Sequence, residues 1–429
     1  MERYSDYKDS GVKWLGEIPR HWEMKRWRFL MVENTKKNSD RRVILQLQFR
    51  YGDIVRKANQ SEESDVLDTI SKYTVVEPND IMINGLNLNY DFVSQRVAQV
   101  NEDGAITSAY ISLRPTNIAC PKYYTYFLKS MDSKKMFHGM GTGIRLTLSY
   151  NELKNQFIPR PSIEEQEAIA NYIDAATSNI DKAIGQQQKM IDLLNERKQI
   201  IINNAVTKGL DPNVPMKNSG VEWIGKIPEH WEIKPLKYCA RTNSGSTPRS
   251  ISGKENPMAT IKWVRTTDLK NCHVCDTTEY LTLDEMKSAS CPLLPKGTVL
   301  ISMYGGEGSF GKLGLLDVEA TINQALCSIN CFDNIMPEYI FYYLQTIHPL
   351  WMKYAASTRK DPNLNQETIR NISVVLPPLN EQKLIVNKIN LHLNKIDTVL
   401  SNVIKQISLL QERKQIIIND IVTGKVKVI

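Results

Sequence analysis

In two long stretches of the chain, mostly apolar side chains recur at spacings that alternate mainly between three and four residues. A few polar side chains occupy positions of the same pattern. In the first stretch these positions are Ile169, Ile173, Ala176, Ile180, Ile184, Gln187, Ile191, Leu194, Lys198 and Ile201, and adding 216 to each number gives the positions of the second stretch. This period predicts two amphipathic helices, each with the single apolar stripe of a coiled coil. Prolines at 159, 161, 377 and 378 mark the predicted starts, and Gly209 and Gly424 mark the ends.

A helix of about 40 residues is about 60 Å long, and its apolar stripe needs a partner. The sequence favours antiparallel pairing of the two helices with each other, because that arrangement places the segments between them at opposite ends of a rod. The alternative is that each helix packs back on its own neighbouring segment. The positions predicted to pair the helices are Ile173, Ile180, Ile191, Leu194, Ile389, Ile396, Ile407 and Leu410.

The chain also repeats its sequence. SGVKWLGEIPRHWE from Ser10 matches SGVEWIGKIPEHWE from Ser219 at 10 of 14 positions, and NERKQIIINN from Asn195 matches QERKQIIIND from Gln411 at 8 of 10. A further alignment superimposes Glu165-Gln166 on Glu381-Gln382. The chain therefore consists of two equivalent frames that hold two unlike inserts.

The inserts are rich in short β-branched runs broken by Gly, Pro and Asn, such as AYISLRP and GTVLISMYGG, and a short helical pattern follows in each. The predicted fold class is α+β: two α/β domains separated by two long helices that pair as an antiparallel coiled coil, with pseudo-two-fold symmetry. The predicted boundaries are 1–158 for the first domain, 159–208 for the central helix, 209–375 for a linker and the second domain, and 376–429 for the C-terminal helix.

Composition adds modest constraints. The chain of 429 residues is 41% hydrophobic and 24% charged, with a net charge of +7, which is compatible with a nucleic-acid partner. Its seven cysteines lack the spacing of a disulfide framework, which favours a reducing cytoplasm. The N-terminus has no apolar signal core, and no apolar run approaches the roughly 20 residues of a membrane helix, so no membrane partner is expected.

Motifs for catalysis or cofactors are weak. GGEGSFGKLGLL from Gly305 partly fits two phosphate-binding patterns, but the following residues predict a strand and a turn where those patterns need a helix, and Leu313 replaces the Mg²⁺-binding Ser or Thr. A flexible loop near DNA or a plain hairpin turn are the other interpretations. Cys272 and Cys275 form one C-x-x-C without a convincing second pair for zinc. The repeated His21 and His230 favour packing and hydrogen bonding over catalysis.

Taken together, the two repeated frames resemble the specificity subunit of type I restriction–modification enzymes over essentially the whole chain. Beside the repeats, SGSTPRS, WVRTTDL, GSFGK and Ile322-Asn323-Gln324 in the second insert are similar to that family, as are NDIMING and GAITSAYISLRP in the first. The first insert matches the family pattern more loosely than the second.

The resemblance implies a non-catalytic DNA-binding subunit in which each domain reads one half of an asymmetric bipartite target in double-stranded DNA. It also implies helices that set the spacing and dock two methyltransferase subunits, and two ATP-dependent restriction subunits in the assembly. No cofactor and no metal is expected in this chain, since S-adenosylmethionine, ATP and Mg would belong to the partners.

Base reading requires polar and basic side chains on loops that face the grooves. The candidates for DNA binding are Arg41, Arg42, Gln48, Arg50, Asn84, Asn87, Arg96 and Arg145 in the first insert, and Ser246, Thr247, Arg249, Arg265, Thr267, Tyr304, Lys312, Arg359 and Lys360 in the second. Two other classes of function stay open at this stage: a stand-alone DNA methyltransferase or nuclease, and a structural coiled-coil scaffold.

Overall fold

The computed structural model describes residues 2–50, 52–58, 64–144, 146–304, 309–354 and 363–428. The chain divides into two compact units. The first comprises Met1–Gln188 together with Ile404–Ile429, and the second comprises Lys189–Val403. Each long helix therefore contributes one segment to each unit, so that the compact units differ from the linear segments predicted from the sequence.

The first unit combines short strands and shorter helices with one segment of each long helix. Its strands are β1 (Tyr7–Asp9), β2 (Glu17–Pro19), β3 (Glu23–Arg26), β4 (Met31–Glu33), β5 (Leu47–Arg50), β6 (Asp53–Arg56), β7 (Thr74–Val76), β8 (Ile81–Ile83), β9 (Val97–Gln99), β10 (Gly104–Ile106), β11 (Ile111–Pro115) and β12 (Phe157–Arg160). Its helices are α1 (Ser64–Ser71), α2 (Pro121–Ser133), α3 (Tyr150–Leu153) and the first part of α4 (Ile163–Lys208).

The second unit is built from the same kinds of element. Its strands are β13 (Met216–Asn218), β14 (Lys226–Pro228), β15 (Glu232–Pro235), β16 (Ala240–Ser244), β17 (Ile261–Val264), β18 (Cys272–Val274), β19 (Glu279–Leu281), β20 (Val299–Ser302), β21 (Leu313–Leu316), β22 (Thr321–Ile322), β23 (Leu326–Cys331) and β24 (Ser373–Leu376). Its helices are α5 (Leu283–Ser288), α6 (Pro337–Ile347), α7 (Trp351–Tyr354), α8 (Gln366–Asn371) and the first part of α9 (Leu379–Val422).

The two domains share a strand order although their inserts show little sequence resemblance. The main sheet of the first domain runs β4-β11-β8-β9, and that of the second runs β16-β23-β20-β21-β18. In both sheets, each of the first four strands pairs antiparallel with the next one in this order. A helix with proline in its first turn follows in each, α2 or α6. The predicted α+β class is confirmed, and the inserts are two versions of one fold.

The ends of the long helices pack into the domain cores. In the first unit, Ile169 and Ile173 of α4 join Ile421 and Val422 of α9 in a cluster with Trp22. In the second unit, the cluster around Trp231 contains Val206 of α4 and Ile389 of α9 in the same way. Each fully buried apolar side chain stabilises its domain by about 1.5–3 kcal/mol. The sequence offered two arrangements, pairing of the helices with each other and packing of each helix on its neighbouring domain. Both occur, since the helix ends are buried in the domains.

Within each unit the helix segments run antiparallel, as predicted. Lys414 Nζ lies 2.6 Å from Asp181 Oδ1 in the first unit, and Lys198 Nζ lies 2.7 Å from Asp397 Oδ1 in the second. Asp397 lies 216 residues after Asp181, and Lys414 lies 216 residues after Lys198. The two ion pairs therefore occupy equivalent positions of the sequence repeat.

The pairing positions predicted from the sequence differ in burial. Ile173, Ile180, Ile389 and Ile396 are buried, whereas Ile191, Leu194, Ile407 and Leu410 are half-buried. Of the buried residues, Ile173 and Ile389 belong to the domain clusters. The half-buried residues lie outside both domain clusters, so the domain cores do not add to the cover at these positions.

The repeated Glu-Gln pair explains why both helix starts share a sequence. Buried Gln166 accepts a hydrogen bond from the Cys120 backbone at 2.7 Å and donates to the carbonyl of Pro161 at 2.9 Å, so it fastens the start of α2 to the start of α4. Gln382 makes the equivalent bonds to Met336 and Pro377.

The repeated histidines complete the same arrangement. The carboxylate of Glu165 lies 2.9 Å from His21 Nε2, and that of Glu381 lies 2.9 Å from His230 Nε2. The hydrogen bonding predicted for both histidines is confirmed.

Candidate DNA-binding surfaces

A basic cleft forms in the first domain. Lys37, Arg41 and Lys72, with Ser39 and Ser71, line a shallow opening of about 520 Å³. Arg41 is ion-paired with Asp68, and the neighbouring Arg42 lies 3.0 Å from Asp40 with its side chain largely exposed. Three cations in one cleft suit a phosphate group, and Lys72 is a contributor that the sequence reasoning missed because it is isolated in the chain.

The hairpin of β5 and β6 carries two further candidates. Gln48 is half-buried and pairs across the hairpin with Val55, while Arg50 is exposed at its end opposite Asp53. The turn residue Gly52 has a φ of +82°, and a Cβ there would lie 2.2 Å from Gln95 Oε1. The absence of a side chain at this turn therefore lets the hairpin lie directly against the loop between β8 and β9.

Residues 84–96, between β8 and β9, hold three candidates in different settings. Asn87 is exposed with a φ of +52°. Asn84 is half-buried, and its Oδ1 accepts a hydrogen bond from the backbone of Leu86 at 3.2 Å. The amide of Asn87 is therefore the more accessible of the two.

Arg96 does not fit the predicted DNA contact. Its side chain is 1% exposed, and its guanidinium donates to the backbone carbonyls of Asn84, Leu86 and Asp91 at 2.6–3.1 Å. A guanidinium enclosed by its own loop cannot reach a base edge, so the prediction for Arg96 is wrong and the residue supports the loop instead. The pattern of polar residues around it contains no signal for this burial.

Two carboxylates next to Arg96 respond to the same environment. Hydrogen bonds from Ser94 and Val93 lower the pKa of Asp91 to about 2. Burial raises the pKa of Asp132, which accepts a hydrogen bond from the Arg96 backbone at 2.7 Å. Asp91 therefore stays ionised at neutral pH, where it accepts hydrogen bonds from the backbones of Val93 and Ser94.

The last candidate of the first insert, Arg145, lies outside the described residues. Its neighbours in residues 141–147 contact the loop between β8 and β9, since the backbone N–H of Leu88 donates to Leu146 O at 3.2 Å.

In the second domain, a loop after β16 stacks on the segment after β22. A Cβ at Gly245 would lie 2.0 Å from Ile322 O, so only glycine permits this approach. The neighbouring Ser246 donates its backbone N–H to Ile322 O at 3.0 Å, and exposed Thr247 donates its hydroxyl to Gln324 Oε1. Arg249 is exposed on the same loop. Gln324 is therefore an additional candidate for DNA binding. The signal for it in the sequence was the Asn323-Gln324 pair, which resembles the family.

The other candidates of the second domain are more constrained. Arg265 donates to Thr278 Oγ1 at 2.9 Å and lies 3.4 Å from Glu279, so its guanidinium has partners within the domain. Thr267 is exposed on a 3-10 helix, whereas Tyr304 and Lys312 are half-buried.

Residues 305–308, Arg359 and Lys360 are outside the described residues. Strand β21 begins at Leu313, as predicted, so the helix that a phosphate-binding loop requires does not follow the stretch.

Cys272 and Cys275 of the C-x-x-C are exposed beside a histidine and a carboxylate. His273 Nδ1 lies 3.0 Å from Asp317 Oδ1, and Cys275 donates to the same carboxylate, which raises the pKa of the Cys275 thiol. Across the described ranges, no three His, Cys, Asp or Glu side chains converge as metal ligands would. In the same ranges, no helix has the length and apolarity needed to cross a membrane.

Comparison with known proteins matches this architecture. The family model for the type I restriction modification DNA specificity domain matches residues 58–190 and 228–409, one segment for each domain. The MjaVIII specificity subunit of Methanocaldococcus jannaschii is 27% identical over 83% of this chain and 81% of its own length. The putative MjaX specificity subunit of the same organism is 24% identical over 98% of both chains.

A solved structure supports the fold. A chain from work titled "Structural basis underlying complex assembly and conformational transition of the type I R-M system" has a TM-score of 0.68 at 15% identity, covering 95% of this chain and 99% of that one. Since the family model covers most of the sequence, the chain belongs to the family of type I restriction–modification DNA specificity subunits.

Proposed function

We propose that this chain is the non-catalytic subunit that selects the DNA target of a type I restriction–modification complex, with each domain reading one half of an asymmetric bipartite sequence. The observation that carries the proposal is the shared strand order of the two domains combined with unlike loops. Equivalent scaffolds with different reading surfaces favour two different half-targets, in contrast to the palindromes read by symmetric homodimers.

The long helices support a fixed spacer between the halves. Helix α4 has 46 residues and α9 has 44, which corresponds to about 69 and 66 Å at 1.5 Å per residue. A turn of duplex DNA measures about 34 Å. Helices of this length suit two reading domains that contact DNA more than one turn apart and leave the bases between them unread.

The helices also offer surfaces for partner subunits. Leu193 and Ile200 are exposed on α4, and Leu409 and Ile416, at positions shifted by 216, are exposed on α9. The α9 residues line a groove of about 400 Å³. A seven-residue spacing of apolar side chains suits the packing of another helix, and its repetition favours two copies of one partner.

We infer that these partners are two methyltransferase subunits, which would bind S-adenosylmethionine and flip an adenine out of each half-target. Two ATP-dependent restriction subunits would complete the complex in the cytoplasm. The chain itself would supply only recognition and assembly.

The test is methylation in a host that lacks adenine methylation. The chain is expressed with the methyltransferase subunit from the same genome, and modified adenines are mapped by single-molecule sequencing. We expect methylation at one bipartite motif with a spacer of fixed length, and none when either subunit is expressed alone.

Two outcomes would contradict the proposal. Methylation by this chain alone would favour the stand-alone enzyme. Methylation without any sequence preference when both subunits are present would favour the structural scaffold.

A further inference from the structure

Each unit carries an exposed ridge at equivalent positions of the sequence repeat. The ridges are residues 26–29 with 154–157 in the first unit, and residues 235–238 with 370–373 in the second. The two segments of each ridge are joined along their backbones. Arg28 donates its backbone N–H to Lys154 O at 3.2 Å, and Leu236 donates to Ile372 O at 2.8 Å.

The ridge of the first unit presents an aromatic ring beside a cation. Phe29 is 55% exposed, and Arg28 Cζ lies 5.2 Å from the centroid of its ring. The guanidinium of Arg28 also donates to Asn155 Oδ1 at 3.2 Å. The ring and the amide therefore hold the cation at the surface.

The ridge of the second unit repeats this arrangement with other side chains. Tyr238 is 64% exposed, and Lys237 Nζ lies 5.5 Å from the centroid of its ring. Lys237 Nζ also donates to Asn371 Oδ1 at 3.0 Å. Packing alone does not account for a cation, a ring and an amide that recur at exposed positions, so the repetition favours a ligand that both units share.

A second cation recurs in each ridge. Lys154 of the first unit corresponds to Arg370 of the second, whereas the neighbouring Arg26 corresponds to Pro235. Lys154 Nζ donates to Asn151 Oδ1 at 2.7 Å, and Arg370 is exposed on α8. An amide oxygen orients a cation without neutralising it, so the charge stays available to an anionic ligand.

The ridges and their borders are basic. Residues 23–29 and 154–160 contain five basic residues and one acid, and residues 232–238 and 370–376 contain three basic residues and one acid. That acid, Glu23 or Glu232, is ion-paired with the lysine two positions later in both units. Each ridge therefore has an excess of positive charge, which favours a polyanion.

Each ridge also adjoins a loop that carries candidates for base reading. In the second unit, Gln366 at the start of α8 donates to Thr242 O of β16 at 2.6 Å, and the loop with Thr247 follows that strand. In the first unit, α3 directly precedes the ridge, and Leu148 before that helix donates its backbone N–H to Gly85 O at 2.9 Å. Gly85 belongs to the loop of the asparagine candidates.

We propose that the two ridges bind the phosphate backbone of the DNA, one in each half of the target, through Arg28 with Lys154 and Lys237 with Arg370. The backbone is the part of DNA that is the same in both halves, whereas the bases differ. Ridges that recur beside unlike reading loops match this division, and their charge matches that of the phosphates. This inference rests on the proposed function, because it assigns a positioning role to the two reading domains.

The experiment measures how salt weakens DNA binding. The full chain is purified with its methyltransferase subunits, and affinity is measured at several NaCl concentrations for the methylated motif and for an unrelated duplex of equal length. In the double variant Arg28→Gln/Lys154→Gln, the slope of log affinity against log salt should become less steep by about two, one for each lost contact. Lys237→Gln/Arg370→Gln should have the same effect.

Both duplexes should be affected alike. A lost phosphate contact should weaken binding about eightfold at 0.1 M salt, whether or not the duplex contains the motif. The preference for the motif and the methylated sequence should therefore stay unchanged.

Two further variants separate charge from folding. Arg28→Lys should keep the slope of the wild-type protein, because the second unit has lysine at the equivalent position. Lys13→Gln is the matched control, since Lys13 is exposed in the first unit but its equivalent in the second is the acid Glu222. It should leave the slope unchanged.

Other outcomes overturn the inference. It fails if both double variants keep the wild-type slope, or if Arg28→Lys loses as much as the glutamine variant. It also fails if the variants weaken only the motif duplex, which would indicate base reading, or reduce copurification of the methyltransferase subunits, which would indicate a protein contact. Wild-type protein without preference for any bipartite motif would contradict the proposed function, while the slopes of the variants would still test the ridges.

Discussion

Gln166 and Gln382 have equivalent roles, since each forms hydrogen bonds that connect the start of a domain helix to the start of a long helix. Both side chains are almost completely buried. A buried amide that satisfies backbone groups is costly to remove, because the groups it leaves behind have no water to replace it.

We therefore expect Gln166→Ala to lower the free energy of unfolding by about 3 kcal/mol, measured by urea denaturation of the full chain. Gln382→Ala should have a similar effect in the other unit. Gln186→Ala is the control, because Gln186 is exposed on α4 and should change stability little. Equal stability of all three variants would contradict the role assigned to the buried pair.

Arg96 gives a second prediction at this scale. Replacement by lysine keeps the charge but cannot satisfy three carbonyls in one plane, so Arg96→Lys should destabilise the loop by about 3 kcal/mol. The measurement is hydrogen exchange of peptides covering residues 84–96, which should become faster. Arg42→Lys, at an exposed position, should leave that exchange unchanged. Protection retained in Arg96→Lys would show that the guanidinium does not hold the loop.

At the scale of elements, the helix pair links two different kinds of contact. The ends of both helices join the domain clusters, whereas Ile191, Leu194, Ile407 and Leu410 lie outside those clusters and are half-buried. This division suggests that the middle tolerates changes in length better than the ends do.

Adding one heptad to each helix, after Gln188 in α4 and after Val403 in α9, keeps the apolar stripe in phase. Seven residues add about 10.5 Å, equivalent to about three base pairs at 3.4 Å each. We expect the spacer in the methylated motif to lengthen by that amount while both halves stay unchanged, as read by single-molecule sequencing. An unchanged spacer would mean that helix length does not determine it.

The elements also show which features a sequence can predict. The 216-residue repeat predicted both long helices to within a few residues of their observed starts, because their stripes are local and regular. The burial of Arg96 was missed, since it depends on carbonyls brought together only when residues 84–91 fold over it. The common strand order was also missed, because different side chains in the two inserts satisfy the same backbone pairing.

At the scale of the whole molecule, the two recognition domains should be separable in specificity. Replacing residues 240–365 with the corresponding insert of another family member should change one half of the methylated motif only. The control replaces the same residues with the insert of a relative that recognises the same half-target, and its motif should stay the same. A change in both halves would refute independent reading.

Equivalent contacts recur at positions shifted by 216 in the long helices and by 209 around Trp22 and Trp231, and this repetition has a consequence for how new variants arise. The repeated segments encode the same structural roles twice, so genetic exchange between two related genes within these segments would replace a whole reading surface. The glutamine, histidine and tryptophan contacts at both borders would be restored by the incoming copy. Under the proposed function, such a gene would acquire a new DNA preference in a single crossover while keeping the contacts that join its domains to the helices.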